Sequence, residues 1–170
     1  MVLSGVTIRE LLGSGKIVIE PMDDGQIQPA SVDLKLSDEI LISRGKEIDF
    51  GREPEYEKSR GKTLVIPPKT HAVVRTVERV ELPRDVGGVT KLRSSLSRVG
   101  IMFNNAGWVD PGFRGTLSLS VFNSNDVPFR IKAGTRICQL ILIKVDRESE
   151  GYSGKYNDQH GVTGSRAHLD

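Results

Sequence analysis

The sequence has a single cysteine, Cys138, and lacks any long apolar run. One cysteine excludes an internal disulfide and a zinc site built from several cysteines, and its apolar surroundings at residues 137–143 predict a buried, unreactive thiol. No apolar run approaches the roughly 18 residues needed to span a bilayer, and the N-terminus lacks the layout of a signal peptide. Charge of one sign is also missing, since 24 Lys and Arg against 22 Asp and Glu leave a net charge of +2. We therefore expect a cytoplasmic protein that binds neither nucleic acid nor membranes.

Aromatic residues are scarce at 5%, whereas 18 glycines and 8 prolines favour short strands joined by tight turns. Apolar residues recur at every second position from residue 17 onward, which is the period of a strand. The segments predicted as strands are residues 17–19, 32–36, 40–42, 63–66, 71–78, 86–92, 116–123, 130–131 and 136–145. Because no long helical pattern alternates with them, the sequence predicts an all-β sandwich or jelly-roll barrel.

Three segments are predicted to lie outside the sheet. Near the N-terminus, Thr7 opens a capping-box pattern and Gly13 is a stop signal, which together predict one short helix. Residues 45–62 are charged and poor in aliphatic side chains, so we expect an exposed excursion with little regular structure. Residues 147–170 are polar and rich in glycine, and they predict a flexible arm that follows a β domain of residues 1–146.

One segment has the composition of a phosphate site. Residues 91–100, KLRSSLSRVG, follow an apolar strand and bring together the hydroxyls of Ser94 and Ser95 and the guanidinium groups of Arg93 and Arg98. Hydroxyls and backbone amides donate hydrogen bonds to phosphate oxygens, and arginine binds them in a bidentate manner. The alternative is that the serines cap a helix whose arginines are simply solvated.

A second segment, AGWVDPGFRG at residues 106–115, places the carboxylate of Asp110 at the end of an apolar strand, with Phe113 three residues later. A carboxylate in such a position can polarise a water molecule. The alternative is structural, because an Asp that opens an Asp-Pro-Gly turn often caps nearby amides with its side chain.

Other polar residues have weaker local signals. Asp33 falls on the polar face of a strand, where a solvated edge residue is the simple interpretation. Gln139 interrupts an apolar strand and needs a hydrogen-bond partner there. The histidines, His71, His160 and His168, lack the spacing of metal ligands, so we expect them to be solvated or packed.

Taken together and in this order, the segments resemble the dCTP deaminase/dUTPase superfamily. The matching stretches are PASVDLKL, KLRSSLSRVGI, AGWVDPGFRG, AGTRICQLIL and the glycine-rich tail GKYNDQHGVTGSRAH. The resemblance extends from Ser4 and Gly5 through residues 161–166, which is nearly the whole chain. The resemblance implies a distorted jelly-roll fold of the dUTPase-like (β-clip) type with a short N-terminal helix. It also implies a homotrimer whose active sites are shared between subunits and are closed by the C-terminal arm.

Carried onto matching positions, the resemblance makes Asp110 the residue that activates the attacking water. The positions that match substrate-binding residues are Arg93, Ser94, Ser95, Arg98 and Gln139 for the phosphates, Phe113 for the deoxyribose, the segment of Asn105, Ala106, Gly107 and Trp108 for the base, and Tyr152, Lys155 and Gln159 in the arm. The implied cofactor is Mg²⁺, which keeps several waters and is held chiefly by substrate phosphates, with Asp33 ordering the site through water.

The family contains deaminases, dUTPases and enzymes that perform both reactions. Its deaminases carry a proton-shuttling Glu five residues after the last glycine of the AGWVDPGFRG motif, and in this chain that position is Ser120. A serine near its normal pKa cannot replace a carboxylate in proton transfer. We therefore expect a dUTP diphosphatase of the archaeal type, which hydrolyses dUTP to dUMP and pyrophosphate. The alternatives are a dCTP deaminase or bifunctional deaminase/dUTPase, and a nucleotide-binding module without catalysis.

Overall fold

The structure, a computed structural model, describes residues 1–104 and 107–169. The helices in this part of the chain are α1 (Gly5–Gly13) and α2 (Ser94–Ser97), with two short 3-10 turns at Asp24–Gln26 and Ala167–Leu169. The strands are β1 (Val18–Glu20), β2 (Ile27–Gln28), β3 (Ser31–Ser43), β4 (Tyr56–Arg60), β5 (Thr63–Ile66), β6 (His71–Glu81), β7 (Val86–Leu92), β8 (Ile101–Asn104), β9 (Trp108–Val109), β10 (Arg114–Asn123), β11 (Phe129–Lys132) and β12 (Arg136–Lys144).

Nearly all described strands join one curled antiparallel sheet in the order β8-β10-β6-β3-β12-β7-β9, and β5 pairs separately with β11. The long strand β3 explains the curl. Its first half pairs with β12, and its second half pairs with β6 and β4 after a register shift between Leu36 and Ile40. One strand therefore passes between two parts of the sheet and bends them into a half-barrel, which confirms the predicted all-β jelly-roll architecture.

The core lies inside this curl and consists of the alternating apolar side chains of the long strands. Leu34, Leu36 and Ile40 of β3 meet Leu140 and Leu142 of β12 there, each no more than 1% exposed. Burial of a side chain of this size contributes roughly 1.5–3 kcal/mol to folding, so these strands carry much of the stability.

The N-terminal helix is confirmed, but its cap is Ser4 rather than Thr7. The Ser4 hydroxyl accepts a hydrogen bond from the Thr7 backbone N–H at 3.3 Å, which satisfies one of the free amides of the first turn. The helix ends at Gly13 as predicted, and Ile8 packs fully buried against the sheet.

The expectation of little regular structure in residues 45–62 is wrong for its second half, which forms β4. This strand pairs with β3 from Tyr56 to Arg60, and most of its side chains are exposed. Backbone hydrogen bonds to β3 therefore form the strand without apolar side chains, which is why hydrophobic periodicity misses it.

Two smaller expectations concern the buried thiol and the membrane. Cys138 is fully buried in β12, and this burial raises the pKa of its thiol well above the ordinary value, which confirms an unreactive side chain. Within the described ranges, no helix has the length and apolar character needed to cross a bilayer. The last strand ends at Lys144, and the flexibility of the arm beyond it stays a prediction.

Candidate functional site

A cavity of about 450 Å³ opens between β6, β10, the end of β9 and the C-terminal segment. The side chains of the sheet form its wall and the C-terminal segment covers it. Its lining residues are Tyr56, His71, Val73, Thr90, Gly107, Trp108, Val109, Asp110, Phe113, Leu117, Ser118, Leu119, Ser120, Tyr152, Tyr156, Gln159, Thr163, Gly164 and Ser165. Polar groups thus converge on a largely apolar wall, as is usual in small-molecule sites.

Asp110 lies in the turn that follows β9, and one oxygen of its carboxylate accepts a hydrogen bond from a neighbouring side chain. The indole N–H of Trp108 donates a hydrogen bond to Asp110 Oδ1 at 2.8 Å. Residues two apart in an extended segment face the same way, so the strand itself brings the two side chains together. The turn closes through a hydrogen bond from the Phe113 N–H to the Asp110 carbonyl at 3.1 Å. The carboxylate is thereby oriented at the cavity while it stays partly accessible to water.

The C-terminal segment docks on this turn. The backbone N–H of Tyr152 donates to the carbonyl of Pro111 at 2.8 Å, and the Tyr152 and Phe113 rings lie with centroids 6.1 Å apart. Gly112 permits the approach, because a Cβ at that position would lie 2.8 Å from Gly151 Cα and its φ of +84° favours glycine. Two predicted binding residues, Phe113 and Tyr152, are therefore neighbours beside the cavity.

Gln159 anchors the same segment along β10. Its side-chain NH₂ donates to the Thr116 carbonyl at 2.6 Å, and its own carbonyl accepts from the Thr116 N–H at 3.1 Å. The side chain is only 8% exposed, and its Oε1 has no hydrogen-bond partner. A buried acceptor without a partner costs about 1–3 kcal/mol, so this oxygen is suited to a donor supplied by a ligand.

The predicted phosphate residues form a second cluster that does not line the cavity. Asp33 is 1% exposed, which corrects the simple interpretation of a solvated edge residue. Its Oδ2 lies 3.7 Å from Arg93 and 3.3 Å from Arg136, so the carboxylate holds both guanidinium groups in place. Gln139 stands opposite Asp33 in the pairing of β12 with β3, and its side chain donates to the Ser31 hydroxyl at 3.3 Å.

Ser94 and Ser95 lie on α2, next to Arg93, and Arg98 is the C-cap residue of this helix; all three are exposed. Of the remaining predicted residues, Gly107 and Trp108 line the cavity. Lys155 does not, and its ammonium lies 5.8 Å from the centroid of the Tyr156 ring. Asn105 and Ala106 lie outside the described residues.

Sequence reasoning missed a contact on the cavity wall. His71 Nε2 and Ser120 Oγ lie 2.6 Å apart, and burial lowers the pKa of His71 below its ordinary value. No local sequence pattern predicts this pair, because the two residues are 49 positions apart and meet through strand pairing. Tyr56, Tyr156 and Thr163 are further lining residues that the sequence did not single out.

The side chains of the site can be tested against the expected binding of Mg²⁺. Among the residues described, no cluster of three or more His, Cys, Asp or Glu side chains could hold a metal ion. One oxygen of Asp33, Oδ1, is buried without a partner, while the other faces two arginines. These residues fit an ion that is bound through phosphate oxygens and water, and they do not fit one held entirely by the protein.

The fold is shared with a solved structure, the 2'-deoxycytidine 5'-triphosphate deaminase from Agrobacterium tumefaciens. The two superpose with a TM-score of 0.68 at 22% identity over 83% of this chain. The match covers 47% of that structure's chain, so this protein spans about half of its length. At this identity the likeness concerns the architecture alone.

Sequence relatives extend the likeness to the whole chain. A protein from Sulfurihydrogenibium sp. (strain YO3AOP1) named dCTP deaminase, dUMP-forming is 42% identical, and the alignment covers 100% of this chain and 99% of the relative. A protein of the same name from Aquifex aeolicus (strain VF5) is 40% identical, with 100% and 97% covered.

These relatives overturn the expectation of a dUTP diphosphatase without deaminase activity, and with it the narrower likeness to archaeal-type dUTPases. The expectation rested on a serine at the position where the family's deaminases carry a Glu, and the structure places the Ser120 hydroxyl 2.6 Å from the His71 imidazole, a group that can exchange protons at neutral pH. The family model described as dCTP deaminase-like matches residues 2–145, and the chain belongs to this family.

Proposed function

We propose that this protein converts dCTP to dUMP in one active site. In the first reaction, water replaces the 4-amino group of the cytosine and releases ammonia. In the second, water attacks the α-phosphate of the resulting dUTP and releases pyrophosphate. The observation that carries the proposal is the cavity with Asp110 at its edge, in a chain 42% identical along its length to a dCTP deaminase that forms dUMP.

Asp110 is the residue that serves hydrolysis of the triphosphate. A carboxylate at the cavity can accept a proton from water and orient that water toward phosphorus. The hydrogen bond from Trp108 at 2.8 Å fixes the direction of one carboxylate oxygen. Such fixation before substrate arrives lowers the cost of reaching the reactive geometry.

The nucleoside part fits the cavity between the turn and the C-terminal segment. The rings of Phe113 and Tyr152 offer an apolar surface for the deoxyribose. The partnerless Oε1 of Gln159 can accept a hydrogen bond from the 4-amino group of cytosine or from the N3–H of uracil. Backbone groups of Gly107 and Trp108 also line the cavity and are further candidates for contact with the base.

The triphosphate requires positively charged side chains. The cluster around Arg93 has such side chains, but it does not line the cavity of its own chain. Arg93 is held by Asp33, while Ser94, Ser95 and Arg98 are exposed and free to meet another molecule. We propose that each phosphate cluster completes the cavity of a neighbouring subunit in a homotrimer. Gln139, which borders the cluster, and Lys155 of the arm are the remaining candidates for phosphate contacts.

Mg²⁺ bound to the phosphate oxygens would neutralise their charge and favour departure of pyrophosphate. The buried Oδ1 of Asp33 is the protein oxygen available to order its water shell. The arginine contacts of the same carboxylate keep Arg93 pointed toward the phosphates.

The test is to incubate the purified protein with dCTP and Mg²⁺ and to follow ammonia, pyrophosphate and dUMP together. Equal amounts of all three are expected. The Asp110→Asn variant should release ammonia while dUTP accumulates, and Asp126→Asn, on an exposed turn, is the matched control. Absence of ammonia from dCTP while dUTP is hydrolysed would contradict the proposal.

A further inference from the structure

The wall of the cavity carries a serine–histidine pair that hydrolysis of the triphosphate does not use. Ser120 Oγ lies 2.6 Å from His71 Nε2, and both residues line the cavity. In the pairing of β10 with β6, Phe122 stands opposite His71 and Ser120 stands opposite Val73. The contact is therefore diagonal between neighbouring strands, and the sheet fixes it before any ligand arrives.

Removal of an amino group by water needs a site that moves protons. Both protons of the water must leave its oxygen, because that oxygen becomes the C4 carbonyl of the product. The other titratable side chains that line the cavity are Asp110 and the phenols of Tyr56, Tyr152 and Tyr156. Phenols ordinarily titrate near pH ~10, whereas an imidazole ordinarily titrates near ~6.5 and can both accept and return a proton at neutral pH.

We infer that Ser120 and His71 form the proton relay of the deamination step, an inference that rests on the proposed function. The water oxygen bonds to C4 as Ser120 takes one of its protons and passes its own to His71 Nε2. The electron pair of the C4–N3 double bond moves to N3, which receives that proton from the relay.

The second proton follows the same route in the next step. The hydroxyl on C4 gives its proton to Ser120, and the relay delivers a proton to the 4-amino nitrogen. The C4–N4 bond then breaks with its electron pair on nitrogen, ammonia leaves and the C4 carbonyl forms. Ser120 and His71 end in their starting state, so the balance is dCTP and water to dUTP and ammonia.

The surroundings of His71 suit the acceptor role. His71 is an exposed residue, but partial burial of its ring still lowers the pKa. The ring is therefore neutral at pH 7, and its Nε2 can take the serine proton when the ring hydrogen is on Nδ1. Ser120 is the group that meets the substrate, and His71 acts through it.

The decisive variant is His71→Gln, because glutamine can still hydrogen bond to Ser120 but cannot carry a proton. We expect ammonia release from dCTP to fall by about 10²-fold or more, and pyrophosphate release from dUTP to fall far less. Ser120→Ala should have the same selective effect. His160→Gln, the same substitution at another exposed histidine, which does not line the cavity, should leave both rates within about twofold.

Two further readouts separate a relay from a structural contact. In the His71→Gln background, adding Ser120→Glu supplies a carboxylate that can move the proton directly, so ammonia release should recover at least about tenfold. In the wild type, kcat for deamination should fall only at a pH below the ordinary imidazole value of ~6.5, because the relay needs the neutral imidazole and the pKa of His71 is lowered. In the double variant this acid limb should move toward the lower pKa of a glutamate.

The possible failures are distinguishable. If the wild type releases no ammonia from dCTP, the proposed function fails and the relay with it. If the wild type deaminates dCTP and His71→Gln does so at the same rate, the relay alone is wrong. A parallel loss of deamination and dUTP hydrolysis in His71→Gln, without recovery by Ser120→Glu, would mean that the pair only holds the two strands together.

Discussion

Replacing Glu39 by glutamine is expected to destabilise the fold at neutral pH and much less in acid. Glu39 lies in β3 with its side chain 6% exposed, and its carboxylate meets Arg75 at 2.6 Å, Lys58 at 3.0 Å and Arg60 at 3.2 Å. It also accepts a hydrogen bond from the Val162 N–H at 3.2 Å, which ties the C-terminal segment to the sheet. Loss of the negative charge leaves partly buried cations without their partner.

The pKa of Glu39 gives the size of the expected loss in the free energy of unfolding. Burial raises this pKa, but hydrogen bonds from Arg75 and Lys58 and their positive charges outweigh that effect and bring it from 4.5 to about 2. At ~1.36 kcal/mol per pKa unit the difference corresponds to ~3 kcal/mol. Because Lys58 and Arg60 are 54% and 64% exposed, solvent screens their attraction and we expect about 1–2 kcal/mol.

The sign of the pH dependence follows from the lowered pKa. The stabilisation is fully present above the unfolded value near 4.5 and is lost as pH falls toward the folded value of about 2. Thermal or urea unfolding of wild type and Glu39→Gln at pH 7 and at pH 3 measures the difference. The control is Glu57→Gln, since Glu57 and its partner Arg44 are both more than half exposed and should contribute little. A difference that is the same at both pH values, or no larger than in the control, would refute the reasoning.

Three further predictions concern the cavity. Asp110→Asn should lower the rate of dUTP hydrolysis about 10²–10⁴-fold with little change in nucleotide affinity, and near-normal turnover in a pyrophosphate assay would exclude Asp110 as the base. Trp108→Phe removes the hydrogen bond to Asp110 at 2.8 Å. Because Trp108 is 48% exposed, we expect the activation free energy of dUTP hydrolysis to rise by only ~1 kcal/mol, or about fivefold in kcat. An unchanged rate would show that this hydrogen bond does not orient the carboxylate. Gly115→Ala places a Cβ 2.9 Å from the Gln159 backbone N at a φ of +134°, so limited proteolysis should cut the C-terminal segment faster than in wild type, and equal protection would contradict the docking.

The sequence was informative about the fold wherever side chains decide the structure. Strands β5 and β7 have the predicted bounds. In β5 the buried residues alternate with more exposed ones, whereas β7 is recognised as a short, mostly buried segment between turn signals. Strand β4 was missed since backbone pairing with β3 forms it and its charged side chains point into solvent. The N-cap of α1 was predicted as Thr7 and is Ser4 in the structure. Both hydroxyl side chains can cap a helix, and only the backbone conformation decides which of them does so.

Local sequence patterns predict only those contacts of the candidate site that are close in sequence. Trp108 and Asp110 are two positions apart in an extended segment, so their contact follows from the strand period. Ser120 and His71 are 49 positions apart, and their contact depends on the register of β10 against β6. Periodicity cannot determine that register, so no local pattern indicates that Ser120 and His71 meet.

The central claim is that one site both deaminates dCTP and hydrolyses the product. The most direct measurement is a single time course with the purified protein, Mg²⁺ and dCTP, in which ammonia, dUTP, dUMP and pyrophosphate are quantified together. We expect ammonia, dUMP and pyrophosphate to rise in equal amounts from the start. Release of pyrophosphate from dUTP with no ammonia from dCTP would contradict it.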